Sequence, residues 1–161
     1  MKHEFMSLPE LSLAHYRKRT EGTFDSALGI ASVVHRGQKD KGGEAYIMHP
    51  IRVAQAVWHL GEEHRIVAVL HDVIEDGNVL LINLCDEFTM PVINALDAIT
   101  KRKGEEYSAY LARVAADPIA KAVKLADLAD NMDPRRRVPG LKHSLRLAKY
   151  RMAVIELGGA A

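Results

Sequence analysis

Glu63-His64-Arg65-Ile66-Val67-Ala68-Val69-Leu70-His71-Asp72-Val73-Ile74-Glu75-Asp76 runs without glycine or proline until Gly77. The spacing predicts one helix over 63–76, with Gly77 as its stop. Its centre, residues 66–70, is apolar nearly all round, the pattern of a helix buried among other helices. Polar groups then appear abruptly at its far end. His71 and Asp72 adjoin the apolar centre, and Glu75 and Asp76 follow at i+4 from each.

The helical period continues on both sides. Phe24, Ala27, Leu28, Ala31 and Val34 recur at three and four residues, the stripe of an amphipathic helix. Thr23 can cap it and Gly37 ends it. Residues 38–45 are polar and contain Gly42-Gly43, which reads as a loop. A second helix is expected to begin near Pro50, in a first turn that tolerates proline, and to carry Ile51, Ala54, Val57 and Trp58. Shorter helices fit 80–88 and 91–99, and others fit 105–115, 118–132 and 141–157. The links are short, and no repeat or low-complexity tract interrupts them. The expected fold class is all-α, a compact helical bundle, with a frayed tail over 158–161.

A chain of 161 residues, 48% of them apolar, suits one domain with a real core. Lys and Arg number 22 against 21 Asp and Glu, a net charge of +1. A general DNA or RNA binder carries a basic excess, so none is expected as a partner; a small anionic ligand held by local charges remains compatible. The single cysteine, Cys85, rules out an internal disulfide and reads as a small, partly buried apolar residue in a reducing compartment. Apolar runs such as 66–70 and 79–82 are far too short for a bilayer. Residues 1–9 lack the apolar segment of a signal peptide. No membrane partner is therefore expected, and the cytoplasm is the expected location. The pattern assigns no oligomeric state.

His71 and Asp72 need partners if they adjoin an apolar core, because unpaired burial costs about 1–3 kcal/mol each. A metal ion would satisfy both at once, and imidazole with carboxylate suits Mn²⁺, Fe²⁺ or Zn²⁺. The blander reading is a solvated helix end with a hydrogen-bonded core histidine. Two further places shift the balance. Tyr46-Ile47-Met48-His49-Pro50 puts a histidine just before a helix start, at the end of a glycine loop, where a turn or capping role is the alternative. Lys124-Leu125-Ala126-Asp127 puts an aspartate in an apolar helical stretch, where an ion pair with Lys124 at i−3 is the alternative. Histidine, His-Asp and aspartate on separate buried helices have the composition of a mononuclear metal site. Glu75 and Asp76 then stand as nearby carboxylates. No serine or cysteine offers itself as a nucleophile.

The order His … His-Asp … Asp resembles the HD superfamily of metal-dependent phosphohydrolases. The flanking stretches narrow the likeness. His35-Arg36-Gly37-Gln38, Tyr46-Ile47-Met48-His49-Pro50, Leu70-His71-Asp72-Val73-Ile74-Glu75-Asp76 and Lys124-Leu125-Ala126-Asp127 resemble the hydrolase domain of RelA/SpoT proteins, over about residues 20–155. The resemblance implies one HD-type domain across 1–161, a stand-alone small alarmone hydrolase. It matches His49, His71, Asp72 and Asp127 to metal ligands, with Mn²⁺ the usual ion. It matches Glu75 and Asp76 to an acidic pair that positions and activates water, and Lys41, Tyr46 and Asn131 to the nucleotide pocket. The implied reaction removes the 3′-pyrophosphate of ppGpp or pppGpp, a small-molecule nucleotide substrate. Lys101 and Arg102 could neutralise phosphate, although a solvated helix end is the plainer reading for both.

The chain also departs from the family. Asp40-Lys41 stands where Arg-Lys is common, Leu128 follows Asp127 where Arg is common, and Asp133 follows Asn131-Met132 where Arg is common. Three cationic positions are lost and two become acidic, while the metal set is whole. Asp40 could accept hydrogen bonds from guanine N1 and N2 or from the adenine amino group. An adenosine alarmone is thus an alternative substrate. A nucleotidase, an NADPH phosphatase of the same type and a non-catalytic nucleotide-sensing module are the other readings. The Glu75–Asp76 pair speaks against the last, since a pure binder has no need to activate water.

Overall fold

The computed structural model describes residues 22–77, 79–136 and 141–159. The expectations for residues 1–9 and for tail residues 160–161 lie outside them. Among the described residues there are eight α-helices: α1 (Phe24–Val34), α2 (Met48–Ala56), α3 (Glu62–Leu70), α4 (Val73–Asp76), α5 (Met90–Ile99), α6 (Tyr107–Ala116), α7 (Pro118–Met132) and α8 (Leu141–Glu156). The only β pairing among them is an isolated antiparallel bridge between Lys39 and Ala45. The fold is all-α, as the periodicity implies. No described helix is long and apolar enough to cross a membrane.

The apolar centre of α3 is the axis of the bundle. Residues 66–70 are all buried, and α3 packs against α1, α2, α5 and α7. Several ends follow local chemistry. Thr23 Oγ1 accepts from Ser26 N–H at 3.3 Å to cap α1, and Gly37 turns the chain with φ of 75°. Asp117 Oδ1 accepts from Ala120 N–H at 2.8 Å, with Pro118 opening α7.

Four expectations are corrected. First, the helix over 63–76 is broken at His71-Asp72 into α3 and the single turn α4. His71 Nδ1 donates to Ala68 O at 2.7 Å, the carbonyl that Asp72 N–H would use in a continuous helix, so the side chain competes with the backbone. Second, α2 starts at Met48 and ends before Trp58. Trp58 lies in a 3₁₀ turn, 48% exposed, edge-on to Phe24 and beneath the Arg65 guanidinium. Third, the segment 80–88 holds only one 3₁₀ turn, Leu81–Leu84. Leu80 and Ile82 face outward while Leu84 and Phe88 reach the core, too little burial to stabilise a longer helix. Fourth, the tail is ordered at 158–159: Gly158 and Gly159 donate to Ile155 O and Val154 O, with Gly158 at φ of 71°.

Candidate functional site

Three helical places converge on one buried point. His49 comes from the first turn of α2, His71 and Asp72 from the α3–α4 break, and Asp127 from the middle of α7. His49, His71 and Asp127 are all buried, in each case with 4% exposure or less. His49 Nε2 lies 3.1 Å from Asp127 Oδ1 and 3.7 Å from Asp72 Oδ2. His71 Nε2 lies 3.1 Å from Asp72 Oδ2 and 3.7 Å from Asp127 Oδ1. Two donors about 2.1 Å from a common ion, at right angles or tetrahedrally disposed, are about 3.0–3.4 Å apart. The two 3.1 Å pairs have that spacing and the two 3.7 Å pairs are wider; the compact group is His49, His71 and Asp127, with Asp72 beside it rather than within it.

The hydrogen bonds behind them test whether the residues suit a cation. Ala68 O can only accept, so His71 Nδ1 carries a proton; its Nε2 is buried and has no hydrogen-bond partner. His49 Nδ1 faces Asp130 Oδ2 at 2.6 Å, which again leaves Nε2 to face the carboxylates. Two ring lone pairs against two carboxylate oxygens repel unless positive charge lies between them. The set therefore fits a divalent cation, and His49, His71 and Asp127 alone can place three ligand atoms around one ion.

Without a cation, protons take its place. Burial alone would lower the His71 pKa, but Asp72 and Asp127 push it well above the ordinary histidine value. His49 is raised likewise, with Asp127 and Asp130 overriding burial. Burial works against ionised Asp72 and Asp127; the His71 charge nevertheless holds Asp72 below its usual range, and Lys124 with both histidines does so for Asp127. Cation binding should displace these protons. Metal affinity is expected to rise with pH through and above the ordinary histidine range, with net proton release. Mn²⁺ titration calorimetry in two buffers of different ionisation enthalpy measures it; a proton count of zero would contradict the protonated cluster.

An open cavity of about 400 Å³ lies over the cluster. Glu75, Asp76, Lys41, Tyr46, Asn131 and Asp40, all singled out from the sequence, line it. Tyr46 Oη donates to Asp72 Oδ2 at 2.6 Å, and Asn131 Nδ2 donates to Asp127 Oδ1 at 2.5 Å. Both thus orient carboxylates as well as facing the cavity. Asp40 shapes its own loop, Oδ1 accepting from Gly42 N–H at 2.9 Å and Glu44 N–H at 3.0 Å. Glu75 Oε1 accepts from Lys101 N–H at 2.6 Å. Desolvation, with the Asp72 and Asp76 charges, raises the Glu75 pKa.

Lys39, Lys124, Arg146 and Tyr150 also line the cavity, roles the sequence reading did not assign. The Lys124–Asp127 ion pair exists at 2.8 Å, so the plainer reading of Asp127 is true alongside its place in the cluster. Arg146 and Tyr150 stand at i and i+4 on α8, a spacing that marks one helix face but not what it meets. Lys101 and Arg102 turn elsewhere. Lys101 is half-buried and its Nζ donates to Glu105 O, while the exposed Arg102 pairs with Asp97, so the solvated helix end describes Arg102 and not Lys101. Asp133 is taken up by Arg135 at 2.5 Å.

Residues 27–116 match the HD domain family. The chain belongs to the HD-domain family. Curated relatives of this HD domain include a guanosine-3′,5′-bis(diphosphate) 3′-pyrophosphohydrolase of Aquifex aeolicus, 32% identical over 76% of this chain and 19% of that one. A probable GTP pyrophosphokinase of Mycobacterium leprae is 30% identical over 87% of this chain and 19% of its own length. The chain thus spans about a fifth of the length of these relatives. Among solved structures, a metazoan ortholog of SpoT described as hydrolysing ppGpp matches with a TM-score of 0.72 at 25% identity, covering 84% of this chain and 85% of that one.

Proposed function

We propose that this HD domain hydrolyses the 3′-pyrophosphate of a purine alarmone nucleotide such as ppGpp or pppGpp, giving GDP or GTP and pyrophosphate. The observation that carries the reading is the buried pair His49 Nε2 and His71 Nε2, both aimed at the Asp72 and Asp127 carboxylates beneath a cavity lined by both acids and cations. The names of the relatives and the 0.72 TM-score support the substrate class.

His49, His71, Asp72 and Asp127 would hold one divalent ion, with Mn²⁺ the first choice and Fe²⁺ or Zn²⁺ compatible with the same donors. Such an ion supplies Lewis acidity toward a phosphoryl oxygen and makes water a stronger acid. The remaining work falls to the chain. Glu75, with Asp76 beside it, accepts the proton of the attacking water, and its raised pKa suits that task. Water oxygen bonds to the phosphorus carried by the 3′ oxygen, and the bond between them breaks. The 3′ oxygen leaves with the proton that Glu75 took from the water, which returns Glu75 to its ionised form. Lys39, Lys41, Lys124 and Arg146 set positive charge against the pyrophosphate. The Tyr46 and Asn131 bonds keep Asp72 and Asp127 aimed at the cluster.

Turnover with Mn²⁺ across ppGpp, pppGpp, ppApp, pppApp and NADPH, with phosphate products resolved, tests the reading. Pyrophosphate release from a 3′-pyrophosphorylated nucleotide is expected. Orthophosphate alone would indicate the nucleotidase or NADPH phosphatase type instead, and binding without turnover a sensing module.

Base preference is expected to depend on Asp40. Asp40→Asn can keep the oxygen that Gly42 and Glu44 donate to, while it removes the charge and turns the other acceptor oxygen into an NH₂ donor. A hydrogen bond to a charged group is worth about 1.5–3 kcal/mol, so the ratio of kcat/KM for ppGpp over ppApp should shift by about tenfold or more. An unchanged ratio would confine Asp40 to loop shaping.

A further inference from the structure

His49 is gripped from behind by a carboxylate outside the four-donor set. Asp130 sits on α7 at i+3 from Asp127, its side chain 9% exposed, with Oδ2 at 2.6 Å from His49 Nδ1. Arg52, at i+3 from His49 on α2, holds the same carboxylate. Its Nε donates to Oδ1 at 2.6 Å and its Nη2 to Oδ2 at 3.2 Å. One face of α2 and one face of α7 are thus joined through Asp130, directly behind the ring.

The donor and acceptor inventory fixes the direction of these bonds. Arg52 has donors only, and a carboxylate accepts only. His49 Nε2 also faces a carboxylate, Asp127 Oδ1 at 3.1 Å. The one proton of the neutral ring therefore goes to the shorter contact, Nδ1 to Asp130 at 2.6 Å, which leaves the Nε2 lone pair toward Asp72 and Asp127. Both side chains are largely out of water, so water does not compete for the ring proton.

We propose that Asp130, clamped by Arg52, is a positioning residue that holds His49 as the Nδ1–H tautomer and so reserves Nε2 for the divalent cation. The inference rests on the metal reading of the site given above. Groups that orient a metal-ligating histidine in this way contribute about 10–100-fold to metal affinity. The clamp also predicts what an amide would do at position 130. In Asp130→Asn, Arg52 Nε draws the amide oxygen to itself, and the NH₂ turns to His49. That NH₂ donates, so Nδ1 must accept, and the ring proton moves to Nε2. The ligand atom is then blocked although the shape of the site is kept.

Mn²⁺ titration calorimetry on the full chain, with ¹⁵N spectra of its histidine rings in metal-free protein at alkaline pH, tests this. One Mn²⁺ per chain is expected for the wild type, about 10–100-fold weaker binding for Asp130→Asn, and a His49 ring proton that moves from Nδ1 to Nε2. Asp130→Asn with Arg52→Met frees the amide to turn its oxygen toward His49, and should recover the Nδ1–H form and part of the affinity; a merely structural defect would not improve on losing a second residue. Asp130→Asn binding Mn²⁺ as tightly as wild type would overturn the proposal and leave the metal reading intact. No Mn²⁺ binding by the wild type would overturn both. A double variant with no recovery would overturn the clamp. The wild-type spectrum keeps the test decisive if a variant fails to fold, because a proton on Nε2 there overturns the proposal without any substitution.

Discussion

Glu75→Gln is expected to lose about 10²–10⁴-fold of the rate of pyrophosphate release while keeping its metal. The size is that of a general base, and the geometry explains why the ion stays. Glu75 lies on α4 at the edge of the cavity, separate from the His49–His71–Asp127 group. Its Oε1 is occupied by Lys101 N–H at 2.6 Å. A glutamine oxygen can accept the same bond, so the side chain keeps its orientation and volume. What disappears is the ability to take a proton. Desolvation and the charges of Asp72 and Asp76 raise the Glu75 pKa, which makes the carboxylate a better base than an exposed glutamate. Single-turnover rates at saturating Mn²⁺, with metal counted on the same samples, give the answer. Loss of the ion would make Glu75 a ligand. An unchanged rate would move the base to another group, and Asp76→Asn would then be the variant to lose activity.

The residues of the cluster were legible in the sequence because each is a polar group in an apolar setting. His71 follows five apolar residues, and Asp127 follows Leu125-Ala126; burial of such groups demands partners. The burial of residues 66–70 was legible for the same reason. The break after Leu70 was not. No glycine or proline marks it, and the cause is a side-chain bond from His71 to Ala68 O that has no compositional trace. Asp130 carried a faint signal. It stands three residues after Asp127, as Asp127 stands three after Lys124, yet its partners His49 and Arg52 lie 81 and 78 residues away in the chain. Arg146 and Tyr150 show the same limit. Their spacing announces a face, while only the packing of α8 on α7 brings that face to the cavity. Local periodicity thus identifies which residues share a surface, and tertiary contact determines what the surface serves.

Asp127→Ala is expected to abolish metal binding and to reduce turnover by about 10³-fold or more, since Lewis-acid stabilisation is worth several kcal/mol. It should also destabilise the fold, for a separate reason. Asp127 Oδ1 faces both histidines and receives Asn131 Nδ2, while Oδ2 holds Lys124 at 2.8 Å. The Lys124 side chain is only 17% exposed, and burial opposes its charge. Removing Asp127 leaves that ammonium without its main counter-charge, a loss of about 3–5 kcal/mol for a broken buried pair. Removing both partners is different. Replacing a buried pair with apolar groups is often neutral or stabilising, so Asp127→Ala with Lys124→Met should recover much of the lost stability. It should not recover metal or activity, because the carboxylate between the two Nε2 atoms is still gone. Urea unfolding of the metal-free proteins gives the stability arm, and Mn²⁺ stoichiometry gives the functional one. A double variant that regained both would reduce Asp127 to a structural ion pair. A single variant as stable as wild type would mean that Lys124 finds water or another acid when Asp127 is removed. The separation of the two effects follows from the two oxygens of one carboxylate, Oδ1 turned to the metal donors and Oδ2 to the lysine.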